Sequence, residues 1–332
     1  MKSTVRNNVT SYTRNKYING VIAMIKPTCS IHARGTVRSI VAMLLILLMI
    51  LTTLTACAIA GNSSGSAPLS QSELRKLTFH SDALDKEMNM NVYLPKGYSD
   101  DKKYRVLYFL HGYTSNPDVE LAAHRLVMLD EWIEQGEIEP LVIIAPNYNN
   151  SLAMNTAPKA NFFPSAHPKE ALYEGMYEDY LIKDVIGYVE ENFSVENNRE
   201  GRVIGGISMG GFSALHLSFK YPDLFSRVGA HSPAFLQSDK LDPIVQKWLY
   251  PTPEAKAQNE PVSLAAGADL KGLQIYIDSG KQDFVFEASE YLYTILNNHG
   301  ASVQFHSENG DHNGEYWDGQ FKNYMMFYSP KK

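Results

Sequence analysis

Cysteine is almost missing from this chain of 332 residues. Its two copies, Cys29 and Cys57, lie ahead of the main body, so that body can close no disulfide and offers no thiolate metal ligand. An H-E-x-x-H pair is absent, and so is a glycine-rich phosphate loop. The first absence argues against a metallohydrolase, the second against a nucleotide-dependent enzyme. Acidic residues are absent from positions 1–56, where Lys2, Arg6, Arg14, Lys16, Lys26, Arg34 and Arg38 stand. The apolar run Ile40 to Leu54 is short for a membrane span and matches the apolar part of an export signal.

Residues 1–56 are therefore read as a targeting leader, 57–70 as a tether and 71–332 as the folded body. Leu54-Thr55-Ala56-Cys57 resembles a bacterial lipoprotein lipobox. That resemblance implies cleavage before Cys57, a lipid on Cys57, and a protein held on the outer face of a bacterial membrane. An uncleaved signal anchor and a plain secretory leader are the competing readings, and a start at Met24 would leave a more ordinary basic segment. Ala58 to Ser70 is rich in Ala, Gly and Ser, as a flexible tether is. Without the seven basic residues of the leader, 23 of the 30 remain against 36 acidic ones, a net charge near −13. Such a charge argues against a nucleic-acid partner and leaves the Cys57 lipid as the means of membrane attachment.

The body, about 260 residues long, suits one domain with a large core. Alternating runs, Lys76 to Ser81 and Met88 to Leu94, predict antiparallel strands at a sheet edge. Continuous apolar runs at Tyr104–Leu110 and Leu141–Ala145 predict buried strands, the apolar run Arg202–Ile207 another strand, and Arg227–His231, Leu273–Ile277 and Val303–His306 are read as further strands. Helical spacing falls between them, at Leu121–Gln135, Tyr180–Phe193, Gly210–Lys220, Phe284–Asn298 and Gly314–Tyr328. The alternation predicts an α/β fold with a mostly parallel central sheet covered by helices on both faces. Phe235 to Ala266 reads as an irregular insertion. Asn147 to Ala171 reads as a long polar and aromatic loop carrying Tyr148, Phe162 and Phe163.

Gly206-Ile207-Ser208-Met209-Gly210 has the form G-x-S-x-G between a predicted strand and a predicted helix. That is the context of a nucleophile elbow, where a serine sits on a turn too tight for Cβ atoms at its neighbours. A serine hydroxyl needs a base, and the base needs an orienting carboxylate. On such a scaffold the acid and then the histidine follow the serine along the chain. Leu273–Ile277 runs into Asp278-Ser279-Gly280-Lys281-Gln282-Asp283, and Asp283, further round the turn, is the preferred acid. Asp278 is read as bracing the turn through backbone N–H groups, and a helix N-cap is the plain alternative for Asp283. Glu287 and Asp311 are weaker acids. His312, in the turn-rich stretch after Val303–His306, is the base, while His306 and the other histidines of the body read as structural. The oxyanion donors would be the backbone N–H of Met209 and that of Tyr113, after His111-Gly112.

Taken together, Val92-Tyr93-Leu94-Pro95 with Gly97-Tyr98, Leu110-His111-Gly112, Gly205 to Gly211, Tyr221-Pro222-Asp223-Leu224-Phe225, Asp278-Ser279-Gly280 with Asp283, and Gly310-Asp311-His312 resemble the esterase family of α/β-hydrolases. That family includes S-formylglutathione hydrolases, tributyrin-type, feruloyl and acetylxylan esterases, and mycolyltransferases. The resemblance covers roughly residues 75–330 and implies the α/β-hydrolase fold, a Ser208–His312–Asp283 triad, the Met209 and Tyr113 amides as oxyanion hole, and no cofactor. One departure stands out: many relatives carry tryptophan two residues after the histidine, where this chain has Gly314, with Trp317 beyond it.

The expected activity is hydrolysis of a carboxylic ester through an acyl-enzyme, on a small or carbohydrate ester, with Tyr148, Phe162 and Trp317 as candidate substrate-lining residues. Acyl transfer to an alcohol and a non-catalytic surface binding module are the alternatives.

Overall fold

The computed structural model describes residues 68–156 and 171–331. The leader, Cys57, most of the tether, and Phe162 and Phe163 lie outside the described residues. Eight strands build the sheet: β1 (Glu73–Ser81), β2 (Lys86–Leu94), β3 (Arg105–Leu110), β4 (Leu141–Pro146), β5 (Arg202–Ile207), β6 (Arg227–His231), β7 (Gln274–Asp278) and β8 (Ser302–His306). Their spatial order is β1-β2-β4-β3-β5-β6-β7-β8. The pairs β1·β2 and β2·β4 are antiparallel, and every other pair is parallel. The edge strands expected from the alternating runs stand where the sequence put them.

The helices are α1 (Pro117–Glu120), α2 (Ala123–Glu134), α3 (Tyr177–Asp179), α4 (Ile186–Asn192), α5 (Met209–Lys220), α6 (Pro243–Leu249), α7 (Pro253–Asn259), α8 (Pro261–Gly267), α9 (Phe286–Asn298) and α10 (Gly314–Tyr328). The single helix expected over Tyr180–Phe193 is instead a π-helical stretch, Tyr180–Val185, joining α3 to α4. The segment read as irregular, Phe235 to Ala266, holds α6, α7 and α8, each with proline in its first turn. Asp242 and Thr252 cap two of them by accepting the N–H of Ile244 and of Ala255. A polar cap followed by proline is a helix-start signal, and it was the overlooked clue to these three short helices.

Strand side chains alternate between two faces, and the core divides accordingly. Val106, Tyr108 and Leu110 of β3 join Ile204 and residues of α5 and α9 on one face. Leu107 and Phe109 join Val203, Ile207, Leu129 of α2 and Phe321, Tyr324 and Tyr328 of α10 on the other. Burial of both faces explains why the inner strands β3, β4 and β5 read as apolar runs, whereas the edge strand β8 is only partly buried.

A buried polar cluster ties α3 to the end of α5. The Glu178 carboxylate faces His216 Nε2 at 3.0 Å and Lys220 Nζ at 2.9 Å, and accepts a short hydrogen bond from the Tyr221 hydroxyl. Burial opposes its charge, but these donors outweigh burial and hold the carboxyl down at about 2. A carboxyl depressed in the folded state contributes stability that is complete above its unfolded value of 4.5 and fades as pH falls toward 2. Glu178→Gln is accordingly expected to destabilise the protein by about 2–3 kcal/mol at neutral pH. In thermal melts the gap to wild type should narrow as pH drops below about 4.5; a gap independent of pH would show that the charge is not what matters.

Candidate active site

The strand order changes direction between β3 and β5: from β3 the chain proceeds to β4 on one side, and β5 lies on the other. In open α/β sheets a crevice forms at the carboxyl ends of strands where that happens. His111-Gly112-Tyr113 follows β3 and Ser208 follows β5, so both segments face that crevice.

Ser208 occupies the turn between β5 and α5 with φ 57° and ψ −114°, a conformation that a non-glycine residue holds only when its surroundings enforce it. Those surroundings are the Ser208 N–H donating to the His231 carbonyl at 2.8 Å and the tight approach of α5 to β3. A Cβ on Gly210 would lie 2.0 Å from the Leu110 carbonyl oxygen, which is why glycine stands there. The serine is 9% exposed.

His312 Nε2 lies 2.9 Å from Ser208 Oγ, and His312 Nδ1 lies 3.0 Å from both carboxylate oxygens of Asp283. Asp283 Oδ1 also accepts the Val285 N–H at 3.0 Å, so the carboxylate braces the start of α9 while it faces the imidazole. The loops carrying Asp283 and His312 are clamped together. Gln282 N–H donates to the Gly310 carbonyl at 3.0 Å, and the Gln282 side chain accepts the Gly310 N–H at 2.7 Å. A Cβ on Gly280 would stand 2.1 Å from the Gly310 carbonyl oxygen, so only glycine permits this approach. The structure thus brings together the three side chains that the sequence singled out. Glu287 and Asp311 are exposed and neither bonds to His312.

Asp278 plays a different part from the one expected. It is the last residue of β7, fully buried, and its side chain accepts from other side chains rather than from turn amides. His231 Nδ1 lies 2.6 Å from Asp278 Oδ1, and the Tyr324 hydroxyl donates to Oδ2 at 2.7 Å. Burial pushes the His231 imidazole below its ordinary value despite the neighbouring Asp278, so it is neutral, with Nδ1–H donating and Nε2 facing the Tyr328 hydroxyl at 2.8 Å. This second His–Asp pair locks β6 and β7 to α10.

The loop after β3 is held from below. Tyr148, expected to line the substrate site, is fully buried, and its hydroxyl donates to the His111 carbonyl at 2.7 Å. It is a brace for the loop that carries Gly112 and Tyr113, because no surface of its ring reaches the crevice. Burial drives the His111 imidazole down to about 4; neutral, it can donate from Nδ1 to the Gly112 carbonyl at 2.9 Å and accept the Tyr148 N–H at Nε2. Gly112 in turn lies against Ser208, whose Cβ would be 3.7 Å from a Cβ built on the glycine. Met209 is the first residue of α5, so its N–H has no acceptor within the helix.

Trp317 lies beside His312. Its ring meets the His312 ring edge-on, with centroids 5.1 Å apart and planes at 86°, and its Nε1–H donates to Ser232 Oγ at 3.0 Å. Phe284, which the sequence reading treated only as the start of a helix, packs on His312 at 4.5 Å and is 76% exposed. Its position directly after Asp283 was the available signal.

A family model described as "Putative esterase" matches residues 81–328. An acetyl esterase from Caldicellulosiruptor saccharolyticus is 22% identical over 75% of this chain and 96% of its own length. An endo-1,4-beta-xylanase/feruloyl esterase from Xylanibacter ruminicola is 25% identical over 62% of this chain, which spans only 28% of that larger protein. Among solved structures, a ferulic acid esterase superposes with a TM-score of 0.64 at 25% identity, covering 79% of this chain and 99% of its own. An S-formylglutathione hydrolase from Staphylococcus aureus, at 23% identity, shares the fold with a TM-score of 0.62 over 78% of this chain and 99% of its own. With three quarters of its length under one family model, the chain belongs to the esterase family, carboxylic-ester hydrolases built on the α/β-hydrolase fold.

Proposed function

We propose that this chain hydrolyses carboxylic esters through a covalent acyl-enzyme on Ser208. The observation that carries this reading is the unbroken chain of contacts from Ser208 Oγ to His312 Nε2 at 2.9 Å and from His312 Nδ1 to Asp283 at 3.0 Å. Ser208 Oγ attacks the ester carbonyl carbon while His312 Nε2 takes its proton, and Asp283 stabilises the imidazolium that forms. The tetrahedral oxyanion is held by the Met209 N–H at the amino end of α5, where the helix dipole favours negative charge, and by the Tyr113 N–H of the loop after β3. As the intermediate collapses, His312 returns the proton to the leaving alcohol and the acyl group stays on Ser208. Water, deprotonated by His312, then releases the acid and restores the serine. No step calls for a cofactor.

Relatives named as acetyl and feruloyl esterases support acetyl or feruloyl esters of carbohydrates as the substrate class. The basic leader, the apolar run and Leu54-Thr55-Ala56-Cys57 support a lipid on Cys57 and a place on the outer face of a bacterial membrane. A fluorophosphonate probe tests the core of the reading. Mass spectrometry is expected to find one adduct, on Ser208, in wild type and none in Ser208→Ala. Folded wild type that takes no label, or takes it on another residue, would rule out the proposed nucleophile.

A further inference from the structure

Phe284 is an unusual placement for a large apolar side chain. Single exposed hydrophobics are common on protein surfaces and by themselves signify little. This one, however, is 76% exposed and packs against the imidazole of His312, with ring centroids 4.5 Å apart and planes tilted by 45°. Trp317 closes the same ring edge-on at 5.1 Å, tied by its Nε1–H to Ser232. The base of the triad is therefore flanked by two aromatic side chains, one fixed and half-buried, the other presented to solvent.

The chemistry of the proposed reaction says what such a surface meets. Of the two halves of an ester, the alcohol half must bring its oxygen within about 2.6–3.2 Å of the base that protonates it. The carbonyl oxygen is drawn the other way, toward the backbone donors at Met209 and the loop after β3. A group beside His312 thus touches the alcohol half, and a ring attached to that oxygen falls within the reach of Phe284. The Phe284 face is open on its outer side and polar exposed residues, Lys281 and Asp311, neighbour the two loops that form the shelf. A partner that fits has one apolar face to lay on the ring and hydroxyls directed to water, which describes a pyranose; a simple alkyl alcohol gains little from the shelf.

Resting on the acyl-enzyme reading above, we infer that Phe284, backed by His312 and Trp317, forms the alcohol-side binding subsite of this enzyme and selects esters of sugar-ring alcohols. Phe284 is a specificity-determining residue and takes no part in bond making.

The test keeps the acyl group constant and varies the alcohol. Wild type, Phe284→Ala and Phe284→Tyr are compared on a mono-acetylated methyl pyranoside and on ethyl acetate. Both substrates give the same acetyl-enzyme, so kcat/KM isolates the step in which the alcohol is still present. Phe284→Ala is expected to lose about tenfold in kcat/KM on the pyranoside ester, mostly through KM, and less than about twofold on ethyl acetate. Phe284→Tyr, which keeps the flat face, is expected to stay within about twofold of wild type on both. The exposed position means that the melting temperature should not move. Equal loss on both substrates, or no loss on either, overturns the subsite. A wild type that hydrolyses no ester and leaves Ser208 unlabelled by fluorophosphonate overturns the esterase reading itself, a separate result.

Discussion

Ser208→Ala and His312→Ala are each expected to lower kcat for ester hydrolysis by about a millionfold, and Asp283→Asn by about 10⁴-fold, the magnitudes that serine hydrolases with this constellation show. The first two remove the nucleophile and the group that takes its proton, so either loss abolishes the same step and the double variant should fall no further. The third is more informative. An asparagine at 283 can keep the bond to Val285 N–H that Asp283 makes and so should preserve the loop. Its amide, however, favours the tautomer with the proton on His312 Nε2, the nitrogen that must accept the serine proton. Activity should collapse while the melting temperature stays close to that of wild type. Steady-state kinetics and a melt on the same preparation check both halves. Unaltered kcat in Asp283→Asn would assign the orienting role elsewhere.

The neighbouring aspartate should behave in the opposite way. Asp278→Ala is expected to destabilise the protein by about 3–5 kcal/mol, which for a domain of this size lowers Tm by roughly 10 °C. Its carboxylate accepts from His231 Nδ1–H and from the Tyr324 hydroxyl inside a fully buried cluster. Truncation strands both donors away from water and leaves a void between β7 and α10. Tyr324, stacked on the His231 ring at 3.4 Å, and Tyr328, seated on Gly205 and Gly229 of adjacent strands, belong to the same cluster. Kinetics at a temperature where Asp278→Ala remains folded separate the two aspartates: most of kcat should survive there. A Tm unchanged in Asp278→Ala would contradict the view that this cluster holds the sheet to α10.

The contrast between the two aspartates marks where sequence reasoning stopped. Both follow the run Leu273–Ile277, Asp278 directly and Asp283 five residues later, and both carry the same carboxylate. Asp278 is the last residue of β7, in register with His231 of β6, so its side chain is claimed by a strand neighbour. Asp283, five residues on, has left the sheet and can turn toward His312. Position in the turn was enough to prefer Asp283, but the partner of Asp278 depended on strand register, which a single sequence does not display.

Local chemistry made the turn at Ser208 legible. A glycine-flanked serine between an apolar run and a helix can be read from short-range sterics, since only a turn of that tightness needs glycine at 206 and 210. Alternating apolar residues revealed the edge strands, and unbroken apolar runs the buried ones, because burial on one face or two leaves those patterns directly in the chain. What tertiary structure alone decided is which distant side chains meet. Tyr148 looks like a loop aromatic but is drawn under His111 by its hydroxyl. Trp317 stands on the first turn of α10, yet Ser232 turns its ring toward His312. Phe284 reads as the start of a helix and ends up against the imidazole of His312. Such meetings depend on how β5, β6, β7 and β8 are placed side by side. The hydrophobic effect that drives that packing is non-directional, so the chain states which residues must be buried without naming the neighbours they will find.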